Sequence, residues 1–187
     1  MPLKEWPLVT SETLLSLRVF ELRRNRCRSP RTGAEHDFFV LSGRDWCNIV
    51  PLTDDGEVVL IRQFRHGTRE TTLEIPGGII DPGDASPAEA ARRELLEETG
   101  CEANIIESIG VVAPNPAIQS NACYSFVARG VKQVAEPKLD AAEDIEVVRL
   151  PLHEIPRRIA AGEVRHALVI VAFTWLLGLR TSVGTGA

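Results

Sequence analysis

The sequence predicts a mixed α/β layered domain, and three observations lead there. Strand-like runs flank one short helix that carries its own start and stop signals. Two further helical stretches close the chain. Hydrophobic content of 44 % with 25 % charged residues is ordinary for a globular chain of 187 residues. That length suits one domain, or a domain with a small extension, and is enough to bury a sizeable core. A net charge of −5 without a basic stripe argues against a nucleic-acid partner.

Taken in order, Leu14–Arg28 alternates apolar and charged residues in part, as an exposed strand does. Ser29–Gly33 is a turn, and His36–Leu41 reads as the returning strand. Residues 1–44 are therefore expected to form a small N-terminal β hairpin. Its arginines (Arg23, Arg24, Arg26, Arg28 and Arg31) are expected to be solvated beside Glu21, Glu35 and Asp37.

The main domain is expected over residues 45–180. Trp46–Leu52 and Glu57–Phe64 are strand-like and joined by the turn Thr53–Gly56. The unbroken apolar run Val58–Ile61 suits a strand buried on both faces. Glu70–Ile75 leads into the Pro76-Gly77-Gly78 loop. Beyond the helix, Ala103–Ala113, Ala122–Val127 and Glu143–Leu150 read as strands, with a proline-stiffened loop from Pro114 to Ser120.

Leu152–Ala161 and Glu163–Leu179 read as helices divided at Gly162. The uncharged stretch Ala167–Leu179 is too short to span a bilayer, so a buried core helix and no membrane partner are expected. Residues 181–187 are expected to be a disordered tail.

Cys27, Cys47, Cys101 and Cys123 are scattered, without a CxxC pair, and His36, His66, His153 and His166 are dispersed, so zinc is not suggested. Met1–Thr10 lacks the apolar core of a signal peptide. The expected location is the cytoplasm, with the cysteines as small core residues.

The central helix is delimited by Ser86 as N-cap, Pro87 in the first position, Glu89 completing a capping box and Gly100 as the left-handed stop. Glu94, Glu97 and Glu98, spaced i, i+3 and i+4, share one face, while Ala88, Ala91 and Leu95 share a neighbouring one. Like charges at that spacing destabilise a helix by a few tenths of a kcal/mol. A hard divalent cation is one reason to keep them. A solvated face with Glu89, Arg93 and Glu97 as a ladder is the other.

The glycine loop tilts that choice. The run Gly78-x5-Asp84-x8-Arg93-Glu94-Leu95-x-Glu97-Glu98-x-Gly100-Cys101 resembles the Nudix box, the signature of the Nudix hydrolase family. The family pattern is Gly-x5-Glu-x7-Arg-Glu-(apolar)-x-Glu-Glu-x-Gly-(apolar). Here Asp84 stands at the first acidic position, with one extra residue before Arg93.

The resemblance implies an α/β/α sandwich with a mixed sheet, extended here by the N-terminal hairpin. It implies hydrolysis of a nucleotide diphosphate with Mg²⁺ or Mn²⁺, held by Glu94, Glu97, Glu98 and the Gly77 carbonyl, with Arg93 orienting Glu97. In the similar ADP-ribose pyrophosphatase branch a glutamate beyond the box acts as base. Glu143 is its counterpart here, with Asp144 and Glu146 as neighbouring alternatives.

Pro116, 15 residues beyond Cys101, and the run Arg62–Arg65 followed by Glu74–Gly78 resemble the same branch. They make ADP-ribose, cleaved to AMP and ribose 5-phosphate, the first candidate substrate. Another nucleotide diphosphate, or a nucleotide sensor without catalysis, is the alternative. Arg65 is placed for a phosphate or for a salt bridge to Glu70 or Glu74. Trp46 or Phe64 could stack on the base, with core burial as the alternative for both. Asn115, Gln119 and Asn121 could bond a sugar or close their loop. In this branch an N-terminal sheet contributes to a dimer, so a homodimer is expected.

Overall fold

The structure, a computed structural model, describes residues 2–178. The tail expected at 181–187 and Leu179, the expected end of the last helix, lie outside them. The described chain falls into two compact units, one made of residues up to Arg44 with Ala113–Ala122, the other of the remainder.

The first unit is an antiparallel sheet in the order β1 (Leu8–Ser16), β2 (Phe20–Arg28), β3 (Glu35–Gly43). The single strand expected from Leu14 to Arg28 is thus two strands, and the hairpin is a three-stranded sheet. The adjacent Leu14 and Leu15 break the alternation, the β1–β2 register shifts between Thr13 and Leu15, and the chain reverses where the Leu17 N–H donates to the Phe20 carbonyl at 2.9 Å.

Arg24–Glu12, Arg26–Asp37 and Arg28–Glu35 pair across the strands at 2.5, 2.8 and 2.9 Å. Exposed pairs of this kind are worth about 0–1 kcal/mol each. Within Ala113–Ala122 the Asn115 carbonyl accepts the Ile118 and Gln119 N–H groups, and the Leu41 N–H donates to the Ile118 carbonyl at 2.8 Å.

The second unit contains β4 (Trp46–Leu52), β5 (Glu57–Arg65), β6 (Glu70–Glu74), β7 (Gly77–Ile79), α1 (Pro87–Thr99), β8 (Cys101–Glu102), β9 (Ile105–Val112), β10 (Cys123–Arg129), β11 (Lys132–Gln133) and β12 (Ile145–Pro151). A 3₁₀ turn, α2 (Ile155–Ala160) and α3 (Ala167–Leu176) follow. Its main sheet runs β12-β5-β4-β10-β9, with β6 on β5 and β7 on β4. Only β4 and β10 pair in parallel within it.

β4 and β5 meet at one pair, Leu52 and Val58, and then splay. β6 and β7 fill the wedge, each pairing with the strand on its own side. The glycine loop is therefore partly a strand. Its Gly77 and Gly78 lie opposite Asn48 and Cys47 of β4.

Alternate residues of the central strands face opposite layers, as the pleat requires. Val50, Leu52, Val58 and Leu60 join Val169, Ala172 and Phe173 of α3 in one core. Cys47, Ile49 and Val59 join Ala90, Ala91 and Leu95 of α1 in the other. This is the expected α/β/α sandwich with a mixed sheet, and it accounts for the unbroken apolar run Val58–Ile61.

α3 starts later than expected. Gly162 ends the preceding turn at φ 74°, Glu163 is drawn back to Arg158 at 2.6 Å, and Arg165 reaches Glu70 at 2.9 Å. No described helix is long and apolar enough to cross a membrane.

Candidate active site

Local rules fix α1 where the site needs it. The Ser86 side chain accepts the Glu89 N–H at 3.2 Å, Pro87 opens the helix, and Gly100 ends it at φ 67° with its N–H on the Leu96 carbonyl. The capping box is only half realised. The Glu89 carboxylate lies 3.5 Å from Arg92.

The glutamate face differs from the evenly shared one the spacing suggested. Glu97 is half-buried with 44 % of its side chain accessible, Glu94 keeps 12 %, and Glu98 is buried. The last turn of α1 thus carries its buried carboxylate against β7.

Arg93 ties the cluster together. Its Nε and Nη2 donate to the two Asp84 oxygens, both at 3.0 Å. Nη1 donates to Glu94 at 2.8 Å and Glu97 at 3.0 Å, and Nη2 also reaches the Ile79 carbonyl at 3.2 Å. The Arg93 bond holds the Asp84 carboxyl below its ordinary range, and Asp84 in turn raises the arginine further. Asp84 also accepts the Asp81 N–H at 2.8 Å. The departure at the first acidic position therefore serves the arginine: the shorter Asp side chain on a longer loop reaches it as a two-toothed acceptor.

Glu98 Oε2 accepts the Gly77 N–H at 2.9 Å. Burial pushes its carboxyl up to about 8, and Glu94 and Glu143 push the same way, against the Gly77 bond and Arg65. Burial also raises Glu94, opposed by Arg93 and reinforced by Glu97 and Glu143. Glu143 lies in the turn before β12, where its carboxylate accepts the Asp140 N–H at 3.0 Å. It acts electrostatically on both Glu94 and Glu98. Glu146, its alternative, is held by Arg62 at 2.7 Å.

These residues fit a divalent cation. Among the described residues no three His, Cys, Asp or Glu side chains form a finished coordination shell, and Arg93 stands between the carboxylates. Yet burial raises the carboxyls of both Glu94 and Glu98, and the ligands that they, Glu97 and the Gly77 carbonyl can offer are all oxygens, the donor type Mg²⁺ takes. Gly77 and Gly78 leave no room for a side chain of their own. A Cβ on Gly78 would stand 2.5 Å from Glu94 Oε1, and one on Gly77 would collide with the Cys47 carbonyl oxygen. Cys47 and Cys123 are both buried, and burial pushes each thiol up to about 12. Cys101 is buried as well.

Of the other residues singled out, Arg65 makes the salt bridge, and to Glu74 rather than Glu70. Its Nε and Nη2 donate to the Glu74 oxygens at 2.8 and 2.6 Å. Trp46 is half-buried at the start of β4, opposite Ile79 and Cys123. Phe64 is not a core aromatic: it is exposed, edge-on to His66 with ring centroids 5.3 Å apart. Pro116 is exposed and belongs to the first unit, whereas Gly77, Arg93, Glu94, Glu97, Glu98 and Glu143 belong to the second. The depth of Glu74 escaped the sequence reading. Its only signal there was a polar residue between the apolar Leu73 and Ile75.

The Nudix domain pattern matches residues 44–170. An ADP-ribose pyrophosphatase of Mycobacterium tuberculosis is 28 % identical over 89 % of this chain and 80 % of its own. One from Bacillus subtilis is 30 % identical over 68 % of this chain and 69 % of its own. The crystal structure of an ADP compounds hydrolase superposes with a TM-score of 0.84 at 26 % identity, covering 95 % of both chains. With the Arg93 network, the buried Glu98 and the glycine strand already in place, the match closes the argument: the chain belongs to the Nudix family.

Proposed function

We propose that this chain is a Mg²⁺-dependent hydrolase of the diphosphate bond in nucleoside diphosphate sugars, with ADP-ribose the first substrate. The observation that carries the reading is the buried Glu98 against the Gly77 strand, flanked by Glu94. The two named ADP-ribose pyrophosphatases support the substrate class.

The Gly77 carbonyl, Glu94, Glu97 and Glu98 would hold Mg²⁺ or Mn²⁺. When bound, the cation neutralises diphosphate oxygens and acidifies water. Arg93 fixes the directions of Glu94 and Glu97, so little reorganisation is left for the reaction itself. Glu143 takes the proton of the attacking water. The water oxygen bonds to one phosphorus, the bond from that phosphorus to the bridging oxygen breaks, and AMP and ribose 5-phosphate leave. Arg65 contacts the diphosphate and Trp46 the base.

A homodimer in the cytoplasm completes the proposal. Leu8, Leu14, Leu15, Phe38 and Phe39 stay exposed on the first unit, and three of the four free cysteines are buried reduced thiols. Light scattering on a sizing column distinguishes dimer from monomer.

The central test is product release from ADP-ribose, other ADP-sugars, GDP-mannose, diadenosine polyphosphates and NADH, with Mg²⁺ and with EDTA. AMP from ADP-ribose, abolished by EDTA, is expected. Cleavage of another member alone replaces the substrate. Binding without any cleavage replaces the enzyme by a sensor.

A further inference from the structure

Glu74 closes β6 with 1 % of its surface exposed, and the hydrolysis outlined above does not use it. A carboxylate that deep is costly unless fully partnered. Besides the Arg65 fork, it accepts the Thr72 hydroxyl at 2.5 Å on the oxygen that Arg65 Nε also reaches. The buried His166 Nδ1, which has no hydrogen-bond partner, lies 4.0 Å from the other oxygen.

The direction of the fork is informative. The ladder places Arg65 directly opposite Glu70, the partner a strand pair would ordinarily give it. Glu70 is instead engaged by Arg165 at 2.9 Å. Arg65 therefore leans along the hairpin to the far end of β6, next to the Gly77–Gly78 strand, where it acts electrostatically on Glu98. Its Nη1 takes no part in the fork, and 42 % of the side chain remains accessible. One edge of the guanidinium is thus fixed and the other is presented.

We propose that Glu74 is a positioning residue, which draws the Arg65 guanidinium toward the Gly77 end of the wedge and holds its Nη1 edge ready for a diphosphate oxygen. This rests on the function proposed above. Thr72 fixes the carboxylate that fixes the arginine, and the Arg165–Glu70 pair removes the competing partner. Without Glu74 the arginine is released to solvent or to Glu70. A cation stays on the hairpin, but its direction is lost.

The test is a double-mutant cycle read by calorimetric binding of ADP-ribose in EDTA, where nothing is cleaved, together with KM and kcat in Mg²⁺. Glu74→Gln and Arg65→Lys should each weaken binding by about tenfold, because each abolishes the two-toothed geometry. The double variant should bind within about twofold of the weaker single one. KM should rise more than kcat falls. Binding by Glu74→Gln equal to wild type, or single effects that multiply, would overturn the assignment.

If Glu74→Gln does not fold, Thr72→Val keeps both charges. It should weaken binding about threefold with Arg65 present and not at all beside Arg65→Lys. Equal losses in the two backgrounds would overturn the proposal. Wild-type protein that binds ADP-ribose while Glu74→Gln binds equally sinks this assignment alone. Wild-type protein that binds no diphosphate of the panel sinks the functional reading and this assignment with it.

Discussion

Arg93 and Arg65 are both forked arginines on half-exposed side chains, but their surroundings are opposites. Arg93 shares one guanidinium among Asp84, Glu94 and Glu97, with Glu98 and Glu143 acting on the same neighbourhood. Arg65 answers a single carboxylate, and that one carboxylate has its pKa lowered: burial pushes it up, and the arginine and Thr72 bonds overcome the burial. The first cluster has more carboxylates than its one cation can balance; burial raises Glu94 and Glu98, and the neighbouring carboxylates push the same way. The second is balanced, with one edge of the arginine still accessible. Unmatched carboxylates under burial keep their protons more readily, a cost that the metal proposed above would relieve, whereas a balanced pair fixes a direction.

The largest effect expected from this contrast is at its anionic end. Glu98→Gln should lower kcat by about 10²–10³-fold, the usual loss when one electrostatic stabiliser is removed. AMP release in Mg²⁺ measures it, and turnover within a few-fold of wild type would take Glu98 out of the proposed metal site.

A smaller effect separates the clusters without any substrate. With a folded pKa of about 8 against an ordinary 4.5, Glu98 retains a proton that the unfolded chain has already lost. Stability of the metal-free protein should therefore fall as pH rises through that window, and the loss is complete above it. In EDTA, the melting temperature should drop between about pH 5 and pH 8, and added Mg²⁺ should restore more of it at the alkaline end. A flat profile in EDTA would remove the surplus-charge account.

The smallest effect belongs to an ion pair outside both clusters. Arg129→Ala breaks the exposed contact with Glu107 at 3.0 Å and should change stability by less than about 0.5 kcal/mol, with kcat unchanged.

Much of this was legible in the sequence because it is local. Ser86, Pro87 and Gly100 mark the helix by rules that act within one turn, and β4 and β5 follow from turn chemistry and apolar runs. The spacing of Glu94, Glu97 and Glu98 revealed a common face but not its depth, since burial of Glu98 is decided by where β7 enters the wedge. Likewise, Asp84 is visible in the sequence only as a departure at the first acidic position, and its two-toothed bond to Arg93 depends on the folded loop. The β1–β2 reversal escaped because Leu14 and Leu15 blur the alternation just before it. Arg65 had two open partners in the sequence, and only the occupation of Glu70 by Arg165 decides for Glu74. What failed was long-range competition for partners.

The parallel pairing of β4 with β10 also sets when the site can exist. Gly77, Arg93, Glu94, Glu97 and Glu98 all lie inside the loop this ladder closes, and the floor beneath α1 takes Ile49 from one strand and Phe126 from the other. Loop-closure entropy is lost before such a ladder returns any contact energy, which makes distant parallel pairings slow to form. A nascent chain that has emerged only as far as Gly100 already carries every carboxylate of the box. It lacks the Phe126 half of that floor, so the unequal depths of the carboxylates are set only when the ladder closes.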